Sequence, residues 1–243
     1  GFIAGNDIKY IKKTIGALPS ILKGSKFTKA LYIDLLAMLF EILAKVRKEG
    51  LMSIEADVED PHASPVFSKY PTLQNDHHVM EFITDYLRMM VGGNLNTVEI
   101  ESLMDMEIET HHHEVEVPGH VMAKVGDAVP AFGIVVAVMG VVNVMGSVGQ
   151  PPAVLGKMIG GALVGTFLGI LISYGFVAPV AGLLEQKAHE GSKIYQCIKV
   201  VLLASMSGYA PQVAVEFGRK VLESGVRPTF RELEDELKAR KGK

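Results

Sequence analysis

The sequence predicts an all-α membrane protein in which a transmembrane helical hairpin is joined to a helical cytoplasmic domain. Two stretches, residues 128–156 and 158–184, contain no Asp, Glu, Lys, Arg or His. Each exceeds the roughly 20 apolar residues that a helix needs to cross a bilayer. Residues 146–152, in the last part of the first stretch, are rich in Gly and Pro, which predicts a tight turn between two spans. Two buried helices of a soluble core are the alternative, and the length of the uncharged stretches argues against it.

The positions of Lys and Arg predict the side of the membrane that each segment occupies. Basic residues are in excess in the segments that flank the hairpin, so these segments are expected to face the cytoplasm. An apolar start followed by Lys9, Lys12 and Lys13 leads us to expect that transmembrane residues precede residue 1 in the complete protein. The chain is predicted to begin with the end of an earlier transmembrane helix (residues 1–9), followed by a cytoplasmic helical domain (10–124). A transmembrane helix (125–149), a periplasmic turn (150–157) and a second transmembrane helix (158–184) come next. Cytoplasmic helices (185–243) complete the predicted order.

Helical periodicity dominates the first part of the cytoplasmic domain. Apolar residues recur every three or four positions between Ser25 and Lys48, which predicts a helix there. Ser25 is the expected N-cap, and Gly50 is expected to end the helix. Residues 51–75 contain three prolines and are predicted to form turns and loops. A further helix is expected over residues 76–90.

Two capping boxes predict the starts of other helices. Asn96 with Glu99, and Thr229 with Glu232, have the spacing in which side chain and backbone cap each other reciprocally. The helix that begins at Asn96 is expected to end near residue 114.

Composition and motifs exclude several functional classes. The only cysteine, Cys197, excludes a disulfide scaffold, and a net charge of −3 argues against nucleic-acid binding. No phosphate-binding glycine loop or nucleophile elbow is visible, so no enzyme is expected. The histidines at 77–78, 111–113 and 120 lack the spacing of metal ligands. We therefore predict neither a metal nor a cofactor.

The two spans contain no ionisable Asp, Glu, His, Lys or Arg in their middle. A proton relay across a bilayer normally needs such a group. If the protein helps to move protons, the carboxylate must come from a partner or from a preceding segment. Thr166 is a hydroxyl in the middle of the second span, and it either bonds back to its own helix or lines a polar path.

Small residues and prolines predict the shape of the hairpin. Gly161, Gly165 and Gly169 recur every four residues in the second span, and Gly133 and Ala137 do so in the first. Such faces permit close helix packing, either within this chain or between copies in an oligomer.

Two prolines lie near the cytoplasmic ends of the spans, Pro130 in the first and Pro179 in the second. Each removes one helix hydrogen bond and predicts a kink, which is either a static bend or a hinge.

At several points the sequence resembles the MotA family of flagellar motor stator subunits. The run ALVGTFLGIL at 162–171, followed by Pro179, is similar to the family signature. Further similarity lies in four segments: VGDAVPAFG at 125–133, GYAP at 208–211, AVEFGRK at 214–220 and NTVEIESLMD at 96–105. The resemblance covers nearly the whole chain and begins at the end of the second of the family's four transmembrane helices.

The resemblance implies an assembly in the bacterial inner membrane. MotA-like subunits form a homo-oligomeric ring, expected to be a pentamer, around two copies of a MotB-like partner. The partner's single membrane helix supplies the aspartate that binds the transported proton. Ion flow turns or reshapes the ring, and the cytoplasmic domain pushes on the rotor protein FliG. No nucleic acid is expected to take part, and membrane lipid surrounds the ring.

The resemblance also implies roles for single residues. Arg47 and Glu55 match the family's charged pair at the rotor interface. Pro130 and Pro179 match its two prolines of conformational change. Thr166 matches the threonine that faces the partner's aspartate.

Ala137 falls where sodium-driven relatives tend to carry a second threonine. An alanine offers no oxygen ligand to sodium, so proton coupling is predicted.

Two other functions remain open at this level. An ExbB- or TolQ-like proton-driven energiser would share the channel but would lack the charged rotor-facing domain at 51–116. A non-transporting membrane scaffold would tolerate Pro179→Leu or Thr166→Val, whereas a stator would assemble and lose torque.

Overall fold

The computed structural model describes residues 2–93 and 96–241, and within them every regular element is a helix. The predicted all-α fold is therefore confirmed. Gly1, the first residue of the predicted end of an earlier span, lies outside the described residues; residues 2–5 form turns. The α-helices are α1 Ile8–Ala17, α2 Lys29–Glu49, α3 Glu55–Glu59, α4 Pro71–Gln74, α5 His77–Gly92, α6 Thr97–Met145, α7 Pro152–Ile172, α8 Ala178–Met206, α9 Pro211–Val221 and α10 Phe230–Lys241.

The chain divides into two compact units. The hairpin unit comprises Gly1–Gly24 and His113–Ala188, and the helical unit comprises Ser25–His112 and His189–Lys243.

The helical unit is built around α2, which is apolar on several faces. Leu35, Leu36 and Leu39 are fully buried. At Gly218 of α9 a Cβ atom would lie closest to Val201 Cγ2, 3.0 Å from Leu36 Cδ2 and 3.1 Å from Cys197 Sγ, so a larger residue would force these core side chains to shift. Burial raises the pKa of the Cys197 thiol to about 12, which makes the only cysteine of the chain an inert core residue.

The helix starts were predicted correctly where a capping box is present. The Asn96 side chain accepts from the Glu99 N–H at 3.0 Å, and the Glu99 carboxylate accepts from the Asn96 N–H at 3.0 Å. Thr229 and Glu232 cap α10 in the same way. The predicted cap of α2 was wrong: Thr28 caps it, because Ser25 instead accepts from the N–H only two residues later.

Residues 51–75 contain short helical pieces rather than only turns and loops, which corrects the prediction. A 3₁₀ turn, Leu51–Ile54, leads into α3. The carboxylate of Asp57, 2% exposed, holds this segment: it lies 2.7 Å from Lys45 Nζ and accepts from Ser64 Oγ at 2.6 Å. A buried carboxylate needs such partners, and sequence periodicity gives no sign of them.

Two helices are long and apolar enough to cross a membrane, Thr97–Met145 and Pro152–Met206, and the hairpin unit holds the part of each that lies within His113–Ala188. The helix that begins at Thr97 does not end near residue 114 as predicted: it continues through Pro118 and Pro130 to Met145. Large apolar side chains are exposed along α6 and α7, including Phe132 of α6 (59% exposed) and Phe167 of α7 (62% exposed). A surface of this kind suits lipid or other membrane helices. The predicted span boundaries remain predictions.

Candidate functional site

Glycines form the closest approach between α6 and α7. A Cβ atom on Gly133 would lie 2.8 Å from the Gly165 carbonyl oxygen and 3.2 Å from Gly169 Cα. Because these neighbours are backbone atoms, they cannot move aside, and the two helices meet in nearly bare backbone contact. The structure thus brings together three of the four glycines that were singled out for packing.

The fourth glycine, Gly161, lies elsewhere: its Cβ position has no neighbour within 4 Å. Gly140, which the sequence analysis did not single out, does lie in the contact, since a Cβ there would be 2.5 Å from Ala162 Cβ. Gly140 follows Gly133 by seven residues and so shares its helix face. That spacing is the signal that could have identified it.

Thr166 lies in this contact, half-buried. Its hydroxyl donates to the Gly133 carbonyl of α6 at 3.4 Å, a long hydrogen bond that runs across the hairpin and not back along its own helix. Ala137, one turn beyond Gly133, is also half-buried. Of the two predicted ion-path residues, Thr166 therefore lies within the glycine contact and Ala137 lies one helical turn away from it.

Pro130 deprives one carbonyl of its helix partner. In an α-helix the N–H of residue 130 would bond to the carbonyl of Gly126, and proline has no N–H. Ser173 replaces it: its hydroxyl, on a side chain 1% exposed, donates to the Gly126 carbonyl oxygen at 2.6 Å. A buried carbonyl left without a donor costs about 1–3 kcal/mol.

Pro179 follows an irregular helical turn. Residues Ser173–Val177 form a π-helical turn, in which the Ala178 N–H bonds to the Ser173 carbonyl. A Cβ on Gly126 would lie 3.5 Å from Val177 Cγ1 and 3.8 Å from the Ala178 nitrogen. The carbonyl that Pro130 leaves without its helix donor and the π-helical turn before Pro179 therefore lie side by side in the hairpin. Sequence reasoning singled out both prolines and missed Ser173. This residue begins the π-helical turn before Pro179 and donates to the carbonyl that lacks a donor because of Pro130.

The predicted charged pair lies in the helical unit. Arg47 is in the last turn of α2, exposed, where a cation interacts favourably with the helix dipole. Its guanidinium donates to the Gly208 carbonyl at 3.2 Å. Glu55, also exposed, is the first residue of α3, so the 3₁₀ turn between α2 and α3 separates the two charges.

The histidines have structural partners. The His112 ring nitrogen Nδ1 lies 2.8 Å from Ser192 Oγ, and the His111 ring packs against the Tyr195 ring at 4.6 Å between centroids with a tilt of 53°. Among the described residues, no group of three or more potential metal ligands occurs.

Comparison with known proteins gives concordant matches. Residues 74–197 match the MotA/TolQ/ExbB proton channel family, and residues 1–50 match the N-terminal region of motility protein A. Motility protein A of Escherichia coli is 54% identical over 238 residues, which is 98% of this chain and 81% of the relative. Chemotaxis protein LafT of Vibrio parahaemolyticus is 30% identical and covers 99% of this chain and 84% of its own.

Two solved structures have a similar fold. The flagellar MotAB stator complex of Bacillus subtilis superposes with a TM-score of 0.66 at 25% identity, over 88% of this chain and 76% of that one. The C. jejuni MotAB structure superposes with a TM-score of 0.70 at 19% identity, over 92% and 79%.

Proposed function

The chain belongs to the MotA family, the proton-channel stator subunits of the flagellar motor, and from this membership we propose how its two units divide the work. The hairpin forms the wall of a proton path together with the membrane helix of a MotB-type partner. The helical unit transmits the resulting change to the rotor. The observation that carries this proposal is the Thr166–Gly133 contact on spans whose middle has no charged side chain, with an irregular helical turn at Ser173–Val177 in the same hairpin.

The partner supplies what the hairpin lacks. Proton transfer across the membrane requires a carboxylate that loads and unloads, and none is available in residues 128–156 or 158–184. Thr166 faces that carboxylate and offers it a hydroxyl as a hydrogen-bond partner.

The outward apolar surface supports assembly into a homo-oligomeric ring, with five copies as the expected number. Gly161, whose Cβ position is open, suits close contact with a helix of a neighbouring subunit or of the partner. The ring lies in the bacterial inner membrane with both hairpin flanks in the cytoplasm, as the excess of basic residues there supports.

Arg47 and Glu55 contact the rotor protein FliG. Exposed charge pairs contribute only about 0–1 kcal/mol each, so this pair orients the rotor contact more than it anchors it. Their separation by a structured turn, held by the buried Asp57 carboxylate, gives the two charges a defined spacing.

Reversing the charge of Arg47 tests the rotor contact. We expect Arg47→Glu to lower swimming speed about two- to fivefold, because one exposed pair turns from attractive to repulsive. A complementary reversal on FliG restores speed. Lys48→Glu is the matched control, since Lys48 is 82% exposed beside Arg47 and has no assigned role. Equal loss in both variants would argue against a specific Arg47 contact.

The coupling ion is tested in cells that lack their own stators. The full-length protein and its MotB-type partner are expected to rotate the motor equally well with and without sodium, because Ala137 offers no oxygen ligand. Rotation that requires sodium would contradict proton coupling. Restoration of energised outer-membrane transport instead of rotation would favour an ExbB- or TolQ-like role.

A further inference from the structure

The hydrogen bond between Ser173 and Gly126 joins the two helices of the hairpin at the carbonyl that faces Pro130 in the helix ladder. Serine in a helix commonly donates to the carbonyl four residues earlier in its own helix. Here the hydroxyl instead crosses the hairpin, to the one carbonyl that Pro130 leaves without its helix donor, at 2.6 Å. Both residues are buried, so water does not compete for the bond.

We propose that Ser173 is a positioning residue of the proton-driven cycle: its hydroxyl supplies the hydrogen bond that Pro130 removes, and this bond breaks each time the hairpin changes its bend. The first half of the proposal concerns only the hairpin, and the second half rests on the stator function proposed above. Ser173 touches neither proton nor partner carboxylate, so it acts through the geometry of the two spans.

The surroundings of Ser173 suit a bond that alternates between two arrangements. The residue begins the π-helical turn, and such turns are frequent at functional sites. A second acceptor is close in the chain: the Gly169 carbonyl, which already accepts from the Ser173 backbone N–H, has a further lone pair. In the second arrangement, in which the hairpin has changed its bend, the Ser173 hydroxyl donates to the Gly169 carbonyl instead of the Gly126 carbonyl. The donor is therefore satisfied in both arrangements, while the Gly126 carbonyl is satisfied only in the one observed.

A double-mutant cycle tests the first half. In Pro130→Ala the new N–H bonds to the Gly126 carbonyl within the helix, so Ser173 has nothing left to compensate. We expect Ser173→Ala to lower the melting temperature of the purified complex by about 2–4 °C when Pro130 is present, and by less than about 1 °C in the Pro130→Ala background. Equal shifts in both backgrounds would mean that Ser173 contributes packing alone, and would overturn the proposal.

Rotation tests the second half. For Ser173→Ala we expect the number of units engaged on a motor to be unchanged and the speed per unit at low load to fall about two- to tenfold, the range for one hydrogen bond. Ser147→Ala is the matched control, because the Ser147 hydroxyl donates at 3.4 Å to the Asn143 carbonyl at the end of α6, four residues earlier, and not across the spans.

The outcomes separate the two ideas. Unchanged speed per unit, or fewer engaged units at unchanged speed, would overturn the positioning role. If the wild-type complex fails to rotate the motor, the stator function fails, while the melting-temperature coupling between Ser173 and Pro130 still decides the first half.

Discussion

Gly133→Leu is expected to prevent the hairpin from forming. The first added carbon would already lie 2.8 Å from the Gly165 carbonyl oxygen and 3.2 Å from Gly169 Cα, both backbone atoms of the facing helix. To admit a leucine the helices must separate along the contact, which also breaks the Thr166–Gly133 hydrogen bond. We expect a loss of stability of about 3 kcal/mol or more, and membrane levels of the full-length protein below about a tenth of the wild type.

The measurement is the amount of protein in the membrane fraction and its co-purification with the MotB-type partner. Gly133→Ala, which adds one methyl group, is expected to cost about 1–3 kcal/mol and to leave a reduced but detectable complex. Gly160→Leu is the control on α7, since its Cβ position is open to 4 Å and the residue is exposed. A Gly133→Leu protein that accumulates and assembles like Gly160→Leu would show that the glycine contact does not hold the hairpin.

Pro179→Leu is expected to leave the complex assembled and abolish most of its torque. Leucine brings an N–H that can bond to the Gly175 carbonyl, so the irregular turn at Ser173–Val177 is expected to regularise into α-helix. Interior proline disfavours a helix by about 3 kcal/mol, so the variant helix is, if anything, more stable. Rotation falls at least about tenfold because the bend no longer changes with the proton state.

The readouts are recruitment of labelled units to the motor and the speed that each unit adds. Pro152→Leu is the matched control: Pro152 is the first residue of α7, where a helix N–H has no partner in any case. We expect this variant to rotate like the wild type. Normal torque in Pro179→Leu would identify the proline as a static bend and favour the scaffold interpretation of the hairpin.

Much of the fold could be predicted because it is encoded locally. The spans follow from runs of uncharged residues, and two helix starts follow from capping boxes in which both partners lie within four residues. The cap of α2 was misassigned because Ser25 and Thr28 both have the right chemistry, and only the path of the chain selects between them.

The candidate site was predictable in part. Resemblance to the family predicts roles for the charged pair, the prolines and Thr166, residue by residue, and these roles remain predictions. It did not identify Ser173, since a serine in an apolar span normally signals a bond within its own helix. Nor did it separate Gly161 from Gly165, which have the same spacing and residue type but opposite surroundings.

The sequence by itself determined that the chain spans a membrane as a helical hairpin, that residues 128–156 and 158–184 are uncharged, and that each span contains a proline. Only the tertiary structure decided which faces meet. The spans are apolar in every direction, so no hydrophobic pattern distinguishes an inward face from an outward one. Contact depends instead on where bare backbone can approach and where an unpaired carbonyl meets a donor, as at Gly133 and Gly126. In both cases the two partners lie more than thirty positions apart along the chain.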